Sequence, residues 1–456
     1  MKGAFHLVNL GCPKNSADSA RILGSMFQAG WKWAGEPSDA DVCLVNTCGF
    51  LEASRKEAEA VIGAIRKERR GAFPVIAAMG CLPERLGAGG KVAGADVCVG
   101  FADYPRLPEL CEEWKAAAAK GGAAAGGKAE GYAGRTVPKG YLRWLDGPSL
   151  LFESPASAWL KLGEGCGNHC AYCAIPLIRG DLTSRPAAAV LREARRLLAA
   201  GVRELNLVAQ DTTAYGMDWD GKRHFPELLR KLLGIREAFF LRVLYAHPRH
   251  LTQEVIDVMA GDERVCPYLD LPLQHIHDGV LRTMGRGYGR AKAESCIARF
   301  RRAFPDGALR TTFITGHPGE GEREFGELVE FVKAGHFDHV GVFAWSPEPG
   351  TRSERRRGEA VTAEEAARRR DELLRVQKAV SAVRWKARKG AVTAAFPEVP
   401  LGGGVWRART LWQAPGDLDG VSEIEGLDGE RPGREPVAGK VIRTRTYGCR
   451  MRVVDE

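Results

Sequence analysis

The chain has 456 residues, a net charge of +9 and 45% hydrophobic residues, which implies roughly two to four globular domains. No apolar run approaches the about 18 residues of a membrane span, and Met1–Asn9 lacks a signal-peptide core and cleavage site, so the expected location is cytoplasmic, with no membrane partner. In that reducing compartment 12 Cys argue for metal ligands and free thiols, not disulfides, while the positive charge is compatible with a nucleic-acid or ribosome-associated partner without selecting one.

Residues 1–112 alternate strand and helix signals. Strands are expected at Ala4–Asn9, Val42–Asn46 and Val75–Met79, with helices from about Ser16 to Ala29 and about Glu52 to Arg69. Alternation at this spacing implies a parallel sheet, and ligands of such sheets sit beyond the carboxyl ends of the strands. Cys12, Cys48 and Cys81 each occupy that place on a successive strand, so three loops can converge on one metal centre. Cys43 and Cys98 fall in or near strands and read as core residues, and Cys111 has no partner pattern. Residues 113–150 contain an Ala/Gly-rich stretch that reads as a linker, flexible or weakly helical.

From Ala158 the alternation restarts and extends through residues 151–388. The strand Ala158–Leu162 runs into Gly165-Cys166-Gly167-Asn168-His169-Cys170-Ala171-Tyr172-Cys173, three thiols spaced C-x3-C-x2-C. A closed zinc site needs four ligands, and no fourth Cys or well-placed His follows; His169 is too cramped inside the loop to complete a tetrahedron. Three thiolates on a 4Fe–4S cluster leave one iron open for a substrate or cofactor. Further strands are expected at Glu204–Ala209, Phe240–Tyr245, Tyr268–Leu273, Leu309–Ile314 and His339–Ala344, with a helix at Ala187–Ala200. Six β/α units suit a partial barrel, with active-site groups on loops at the strand carboxyl ends. The cysteine loop, Gln210, His275 and Gly316–Glu320 fall there. A helix from Thr362 to about Lys386 opens with a capping-box pattern, and its Arg368-Arg369-Arg370 run reads as a solvated face.

Residues 389–456 change to short β-type runs at Val392–Phe396, Gly404–Arg409 and Gly439–Arg443, which suggests a small β-barrel. Lys440, Arg443, Arg445, Arg450 and Arg452 form a basic cluster that can contact phosphates or equally be a solvated strand face. Asp417, Asp419, Glu423, Glu425, Asp428 and Glu430 form an acidic stretch before it, which reads as a surface for a basic protein.

The C-x3-C-x2-C loop after a first strand resembles the radical S-adenosylmethionine (radical SAM) superfamily. The order of three-Cys α/β domain, radical SAM core and small barrel resembles the methylthiotransferase family, whose last domain is called TRAM. The resemblance implies two 4Fe–4S clusters and SAM as cofactors, with Cys166, Cys170 and Cys173 holding the cluster that cleaves SAM and Cys12, Cys48 and Cys81 holding the one that carries the inserted sulfur. It places Tyr172 near the adenine of SAM; Gln274 and Arg310, at strand ends, are candidates for contacting SAM or a substrate carboxylate, with a surface ion pair the other reading of Arg310. Gly11-Cys12-Pro13-Lys14-Asn15, Asn46-Thr47-Cys48-Gly49-Phe50, Gln210–Gly216 and Pro272-Leu273-Gln274-His275 look like the branch that converts an aspartate of small-subunit ribosomal protein twelve to its β-methylthio form. That protein, free or on the ribosome, and an electron donor such as flavodoxin or ferredoxin are then the implied partners. His317, Gly321 and Gln413 depart from the family pattern, standing where Phe, Thr and Asp are usual. The nearest rival is methylthiolation of tRNA adenosine; a rival of another class is an iron–sulfur scaffold or electron carrier, which would ordinarily ligate every iron.

Overall fold

The computed structural model describes residues 2–124, 127, 129, 131–132, 135–416, 418–427 and 434–454. Asp417, Asp428 and Glu430 of the acidic stretch, and part of the Ala/Gly linker, lie outside them. The chain divides into two units that interleave in sequence. The first takes residues 1–152, 161–169 and 173–189, and the second takes 153–160, 170–172 and 190–456.

The first unit is built on a parallel sheet in the order β2-β1-β3-β4-β5, comprising β1 (Ala4–Asn9), β2 (Lys32–Trp33), β3 (Val42–Thr47), β4 (Val75–Gly80) and β5 (Val97–Val99). The central strands β3 and β4 are buried along their whole length, which is why their sequences do not alternate. Helix α1 (Pro13–Gln28) starts three residues earlier than its periodicity predicts, because Pro13 supplies the φ of a first helical turn and has no N–H to leave unpaired. Helix α2 (Glu52–Glu68) buries only Ala58, Ile62 and Ile65, a one-sided apolar stripe. The unit is completed by α3 (Cys81–Leu86), α4 (Leu107–Ala119), α5 (Lys139–Trp144) and α6 (Ile175–Arg179). The expected linker is shorter than its composition suggests. Helix α4 runs through residues 113–119 with Trp114 and Ala118 buried, and Tyr132, Val137 and Tyr141 join the core of this unit.

The second unit begins with β6 (Ser157–Lys161). The short strands β7 (Gly163–Glu164) and β8 (Thr183–Ser184) pair with each other inside the first unit. An open six-stranded sheet then follows in the order β6-β9-β10-β11-β12-β13, with β9 (Glu204–Val208), β10 (Phe240–Val243), β11 (Val265–Asp270), β12 (Ala308–Thr315) and β13 (His339–Ala344). This is the partial barrel expected from six β/α units. Two strands end before their apolar runs do. Tyr245 takes φ +56°, which breaks the extended backbone of β10, and Pro272 cannot donate to a ladder beyond β11. The helix Ala363–Ala387 is capped by the Thr362 hydroxyl, which accepts the Glu365 N–H at 3.2 Å. Its arginine run is not a uniform solvated face: Arg369 is buried and binds Glu320 Oε1 at 3.0 Å and Glu365 Oε1 at 2.7 Å.

The C-terminal strands β14 (Val392–Gly402), β15 (Val405–Thr410), β16 (Ser422–Glu425), β17 (Val437–Arg445) and β18 (Gly448–Val453) close a barrel in the order β14-β15-β16-β18-β17. Thr446 and Tyr447 form the turn before β18 rather than a strand. Gln413, one of the family departures, is fully buried and holds the loops of the barrel together. Its Oε1 accepts from Thr410 N and Ser422 Oγ, and its Nε2 donates to the carbonyls of Gly420 and Tyr447.

Among the described residues, the acidic and basic stretches do not form two opposed surfaces. The parallel pairing of β16 with β18 sets Glu425 beside Arg450 and Arg452, at 2.9 and 2.7 Å, and Glu423 binds Arg445 at 2.7 Å. Asp419 is buried, accepting from Tyr268 Oη at 2.6 Å and from Ala414 N at 2.8 Å. The barrel is also bonded to the sheet of its own unit through buried charge. Glu204 on β9 accepts from Arg242 on β10 and, at 2.6 Å, from Arg409 on β15, while Arg242 reaches the Leu411 carbonyl at 2.8 Å. Removing the barrel would therefore strand Glu204 and Arg242 without Arg409, and residues 390–456 are not a detachable docking module.

Burial alone would raise the Glu204 carboxyl, but Arg409 and Arg242 outweigh it and hold it at about 2, below the ordinary 4.5. Its contribution to stability is thus present above about pH 4.5 and is lost as pH falls toward 2. Arg409→Ala leaves Glu204 with half of its compensation and should cost about 3–5 kcal/mol in urea unfolding at neutral pH, with a flatter loss of stability between pH 4.5 and 2 than the unaltered chain.

Candidate functional site

Three loops of the first unit converge at the carboxyl ends of β1, β3 and β4. They are fastened by amide side chains. Asn15 Nδ2 donates to Asn46 Oδ1 and to the Thr47 carbonyl, both at 3.0 Å, and Asn46 Nδ2 returns to the Asn15 carbonyl at 3.0 Å. Thr47 Oγ1 binds the Met79 carbonyl at 2.7 Å and accepts from Leu82 N at 3.3 Å. The backbone comes close where no side chain could fit. Gly80 has φ +90°, and a Cβ there would lie 2.3 Å from Asn46 Oδ1; a Cβ on Gly49 would lie 2.6 Å from the Cys81 carbonyl oxygen.

These contacts bring Cys12, Cys48 and Cys81 together. Cys12 and Cys48 are half-buried and Cys81 is buried. Each thiol feels the others' charge: Cys12 raises Cys48, and Cys48 and Cys12 both raise Cys81. Burial pushes Cys81 up to about 12 and also raises Cys48. Burial acts on Cys12 too, but Lys14, Arg179 and the N–H groups of Asn15 and Lys14 outweigh it and lower its pKa. Asn15 Oδ1 receives both Cys12 Sγ, at 3.7 Å, and Cys81 Sγ, at 3.8 Å. Three converging sulfurs with cations and amides around them suit a soft metal centre that carries negative charge.

Behind these thiols lies a buried ion cluster. Arg179, at the end of α6, donates from Nε to Cys81 Sγ at 3.3 Å. Its Nη1 binds both Glu164 oxygens, at 2.9 and 2.7 Å, and its Nη2 reaches Asn15 Oδ1 at 3.3 Å and Asp18 Oδ2 at 3.2 Å. Lys161 pairs with Asp18 and Glu164, and Tyr141 Oη donates to Asp18 Oδ1 at 2.9 Å.

The C-x3-C-x2-C loop spans both units. In the first, Cys166 N donates to the Gly180 carbonyl at 3.1 Å and Asn168 Nδ2 points at Cys166 Sγ, 3.5 Å away. His169 takes φ +44° and turns its Nε2 to Asp181 at 3.1 Å, so it is spent on a carboxylate and not on the thiols. In the second, Arg286 Nη1 contacts Cys170 Sγ and Tyr172 Oη, both at 3.2 Å, and Nη2 binds the Pro272 carbonyl at 2.6 Å. Tyr172 packs on Val280, Met284 and Ile314 with Trp345. His317 presents its ring edge-on to Tyr172 at 6.3 Å and binds Ser353 Oγ at 2.8 Å, so this departure fills an apolar wall with a hydrogen-bonded ring. Burial lowers its pKa to about 4, and it stays neutral. Gly321 caps the helix Glu322–Lys333 by donating its N–H to Glu324 Oε2 at 3.1 Å.

The other expected site residues divide. Gln274 has φ +72°, its N–H binds the Thr312 carbonyl at 2.7 Å, and its side-chain amide has no partner among the described residues. Strain of this kind persists only where the surroundings enforce it. Arg310 does not wait for a ligand. Its Nη1 and Nε bind Asp270 and Asp419, each at 3.1 Å, the ion-pair reading of this residue, here between the sheet and the barrel. His275 faces Glu320 at 3.2 Å, inside the second unit.

Pattern reading missed Arg179, Arg286 and a buried group of Asp211, His247 and His250, whose ligand atoms all lie within 4.8 Å of one another. Asp211 accepts from His250 Nδ1 at 2.7 Å and from Thr213 Oγ1 at 2.7 Å. His247 Nδ1 accepts the Arg249 N–H at 3.2 Å, which leaves the proton of the neutral ring on Nε2. That nitrogen is buried without a hydrogen-bond partner among the described residues, while the His247 backbone N–H, Thr213, Asp211 and His250 bond the loops after β9 and β10 to one another.

Comparison with known proteins agrees with this geometry. Residues 160–332 match the radical SAM superfamily, and residues 4–99 match the uncharacterized protein family UPF0004. The chain is 36% identical over 469 residues to ribosomal protein uS12 methylthiotransferase RimO of Syntrophus aciditrophicus (strain SB), covering 99% of this chain and 96% of that protein. It is 37% identical over 424 residues to the protein of the same name from Moorella thermoacetica (strain ATCC 39073 / JCM 9320), covering 92% of each. The chain belongs to the RimO methylthiotransferase family. Among solved structures, the radical S-adenosylmethionine methyltransferase TsrM from Kitasatospora setae superposes with a TM-score of 0.53 at 16% identity, covering 75% of this chain and 72% of that one, a likeness of fold. This RimO-family chain is thus a radical SAM transferase that uses SAM and iron–sulfur clusters. The tRNA reading gains no support from these relatives.

Gly80→Ala tests the fastening of the three loops. It should destabilise the chain by about 1–3 kcal/mol in urea unfolding, from a left-handed φ and a blocked approach. Gly63→Ala in α2, where a Cβ meets nothing within 4 Å, should be neutral or stabilising by up to about 1 kcal/mol.

Proposed function

We propose that this chain inserts a methylthio group at the β-carbon of an aspartate of small-subunit ribosomal protein uS12. The observation that carries this reading is the convergence of Cys12, Cys48 and Cys81 on the ends of three parallel strands, in a chain that spans 96% of a uS12 methylthiotransferase. In this reading Cys166, Cys170 and Cys173 would hold the cluster that binds SAM, and Cys12, Cys48 and Cys81 would hold the second. When bound, these groups supply the radical that removes hydrogen from unactivated carbon and the sulfur and methyl that replace it.

The chain's own residues bind and orient. Arg286 fixes Cys170 and Tyr172 to each other through one guanidinium group, so that the phenol ring stands where an adenine could stack. The apolar wall of Val280, Met284, Ile314 and Trp345 keeps water from that ring. Gln274 offers an unengaged amide, both donor and acceptor, to a carboxylate and ammonium such as those of SAM or the substrate aspartate. Domain by domain, residues 1–112 would carry the second cluster, 151–388 the radical SAM core, and 389–456 a TRAM-like barrel. Lys440 and Arg443, exposed and without an ion pair among the described residues, would be its contact to RNA phosphate on a ribosomal substrate. A ribosomal substrate and a one-electron donor such as flavodoxin or ferredoxin would both meet the enzyme in the cytoplasm.

Mass spectrometry of uS12 and of tRNA from cells with and without the gene tests this directly. The methylthio mass should vanish from the uS12 aspartate in the deletion strain, with tRNA unchanged; loss from tRNA alone would reverse the assignment. Anaerobically prepared protein should carry about eight irons. Replacing Cys12, Cys48 and Cys81 together by Ala should leave about half of that iron and preserve reductive SAM cleavage while abolishing product; full iron retention would show these cysteines to be core thiols.

A further inference from the structure

The buried ion cluster of the first unit has a task that neither trio of cysteines explains. Arg179 is 2% exposed, as is Lys161, while Asp18 is 1% and Glu164 0% exposed. Two cations and two carboxylates balance to zero. One of the four, Arg179, places an N–H on a cysteine sulfur, Cys81 Sγ at 3.3 Å. A second of its N–H groups reaches Asn15 Oδ1, the oxygen that also receives Cys12 and Cys81. At a buried sulfur such as that of Cys81, a hydrogen bond to the ligand atom and the net charge around it are main determinants of a cluster's reduction potential.

Sequence position adds a second point. Glu164 precedes Cys166 by two residues, and Arg179 ends the helix that starts two residues after Cys173. Their two-pronged bond closes the base of the C-x3-C-x2-C loop, and the same guanidinium then continues to Cys81.

We propose that Arg179 is a positioning residue that sets the reduction potential of the centre held by Cys12, Cys48 and Cys81, with Glu164 as its counterweight. The proposal rests on the reading that these three cysteines hold a cluster. With Arg179 in place the centre faces a cation, which favours its more negative, one-electron-reduced form. The carboxylates hold the guanidinium fixed and moderate its field.

The test is a one-electron redox titration of the holoenzyme at a poised electrode, followed by electron paramagnetic resonance. The relevant couple is identified as the one absent when Cys12, Cys48 and Cys81 are replaced. Arg179→Gln leaves the carboxylates in excess and should make reduction harder, shifting the oxidised-to-reduced ratio at a fixed potential at least tenfold, about 59 mV. Glu164→Gln leaves the cations in excess and should shift the same couple the opposite way, and the double variant should lie between them. A merely structural role would move both single variants alike, or neither, and either result overturns the proposal. Should Arg179→Gln fail to load its cluster, Glu164→Gln decides alone: a rise in potential supports the proposal, and an unchanged potential ends it. Iron content separates this from failure of the underlying reading, because a chain without the second centre carries about four irons before any variant is made.

Discussion

The interior of the first unit depends on four charges that have no access to water. Asp18, Lys161, Glu164 and Arg179 are each nearly or fully buried, and each ion would be costly alone. They are tolerable because every one touches two of opposite sign or a strong donor, and Tyr141 contributes its hydroxyl to the same network. Burial would raise Glu164, yet Arg179 and Lys161 hold it at about 2, so it stays ionised at any physiological pH. Well-packed apolar groups of the same volume would hold the unit together at least as well. A charged interior beside a set of thiols is therefore better explained by what it does to the thiols than by stability.

The interleaving of the two units follows from the same network. Residues 161–169 and 173–189 belong with the first unit because Lys161 and Arg179 are bonded there to Asp18 on α1, and Glu164 is bonded to both cations. The C-x3-C-x2-C loop lies between these anchors. Cys166 is held by a backbone bond to Gly180, and that strap ends at Arg179. Cys170 and Tyr172 meet Arg286 in the second unit. The loop therefore takes its conformation from contacts that are far apart in sequence, and a domain boundary drawn through a composition change near residue 150 does not capture it.

What the sequence made legible was local. The cysteine spacing, the strand runs and the glycines beside Cys12, Cys48 and Cys81 are all read within a few residues. The parallel strands followed because strand runs alternate with helix-length stretches, and the open six-stranded sheet followed from the count of repeats. Arg179 was not legible. It is one of 66 basic residues, and its partner Asp18 lies 161 positions away. Arg310 kept two readings open for a related reason: a cation near a strand end gives no sign of its acid when that acid, Asp419, lies 109 positions on.

The barrel carries that lesson furthest. In linear order its acids precede its bases, and the two runs suggest separate faces for a basic protein and for RNA. Strand pairing cancels that separation, because β16 lies beside β18 and the charges meet as cross-strand pairs. Such exposed pairs are worth little to stability, and they do not cancel fully, because Arg450 and Arg452 share the one carboxylate of Glu425. Asp419 is removed altogether, buried under Tyr268 and Arg310. Among the described residues of the barrel, Lys440 and Arg443 on β17 are exposed cations that strand pairing leaves without an acid, so the charge that survives the cross-strand pairing sits on β17, a placement that the linear order of acids and bases does not show.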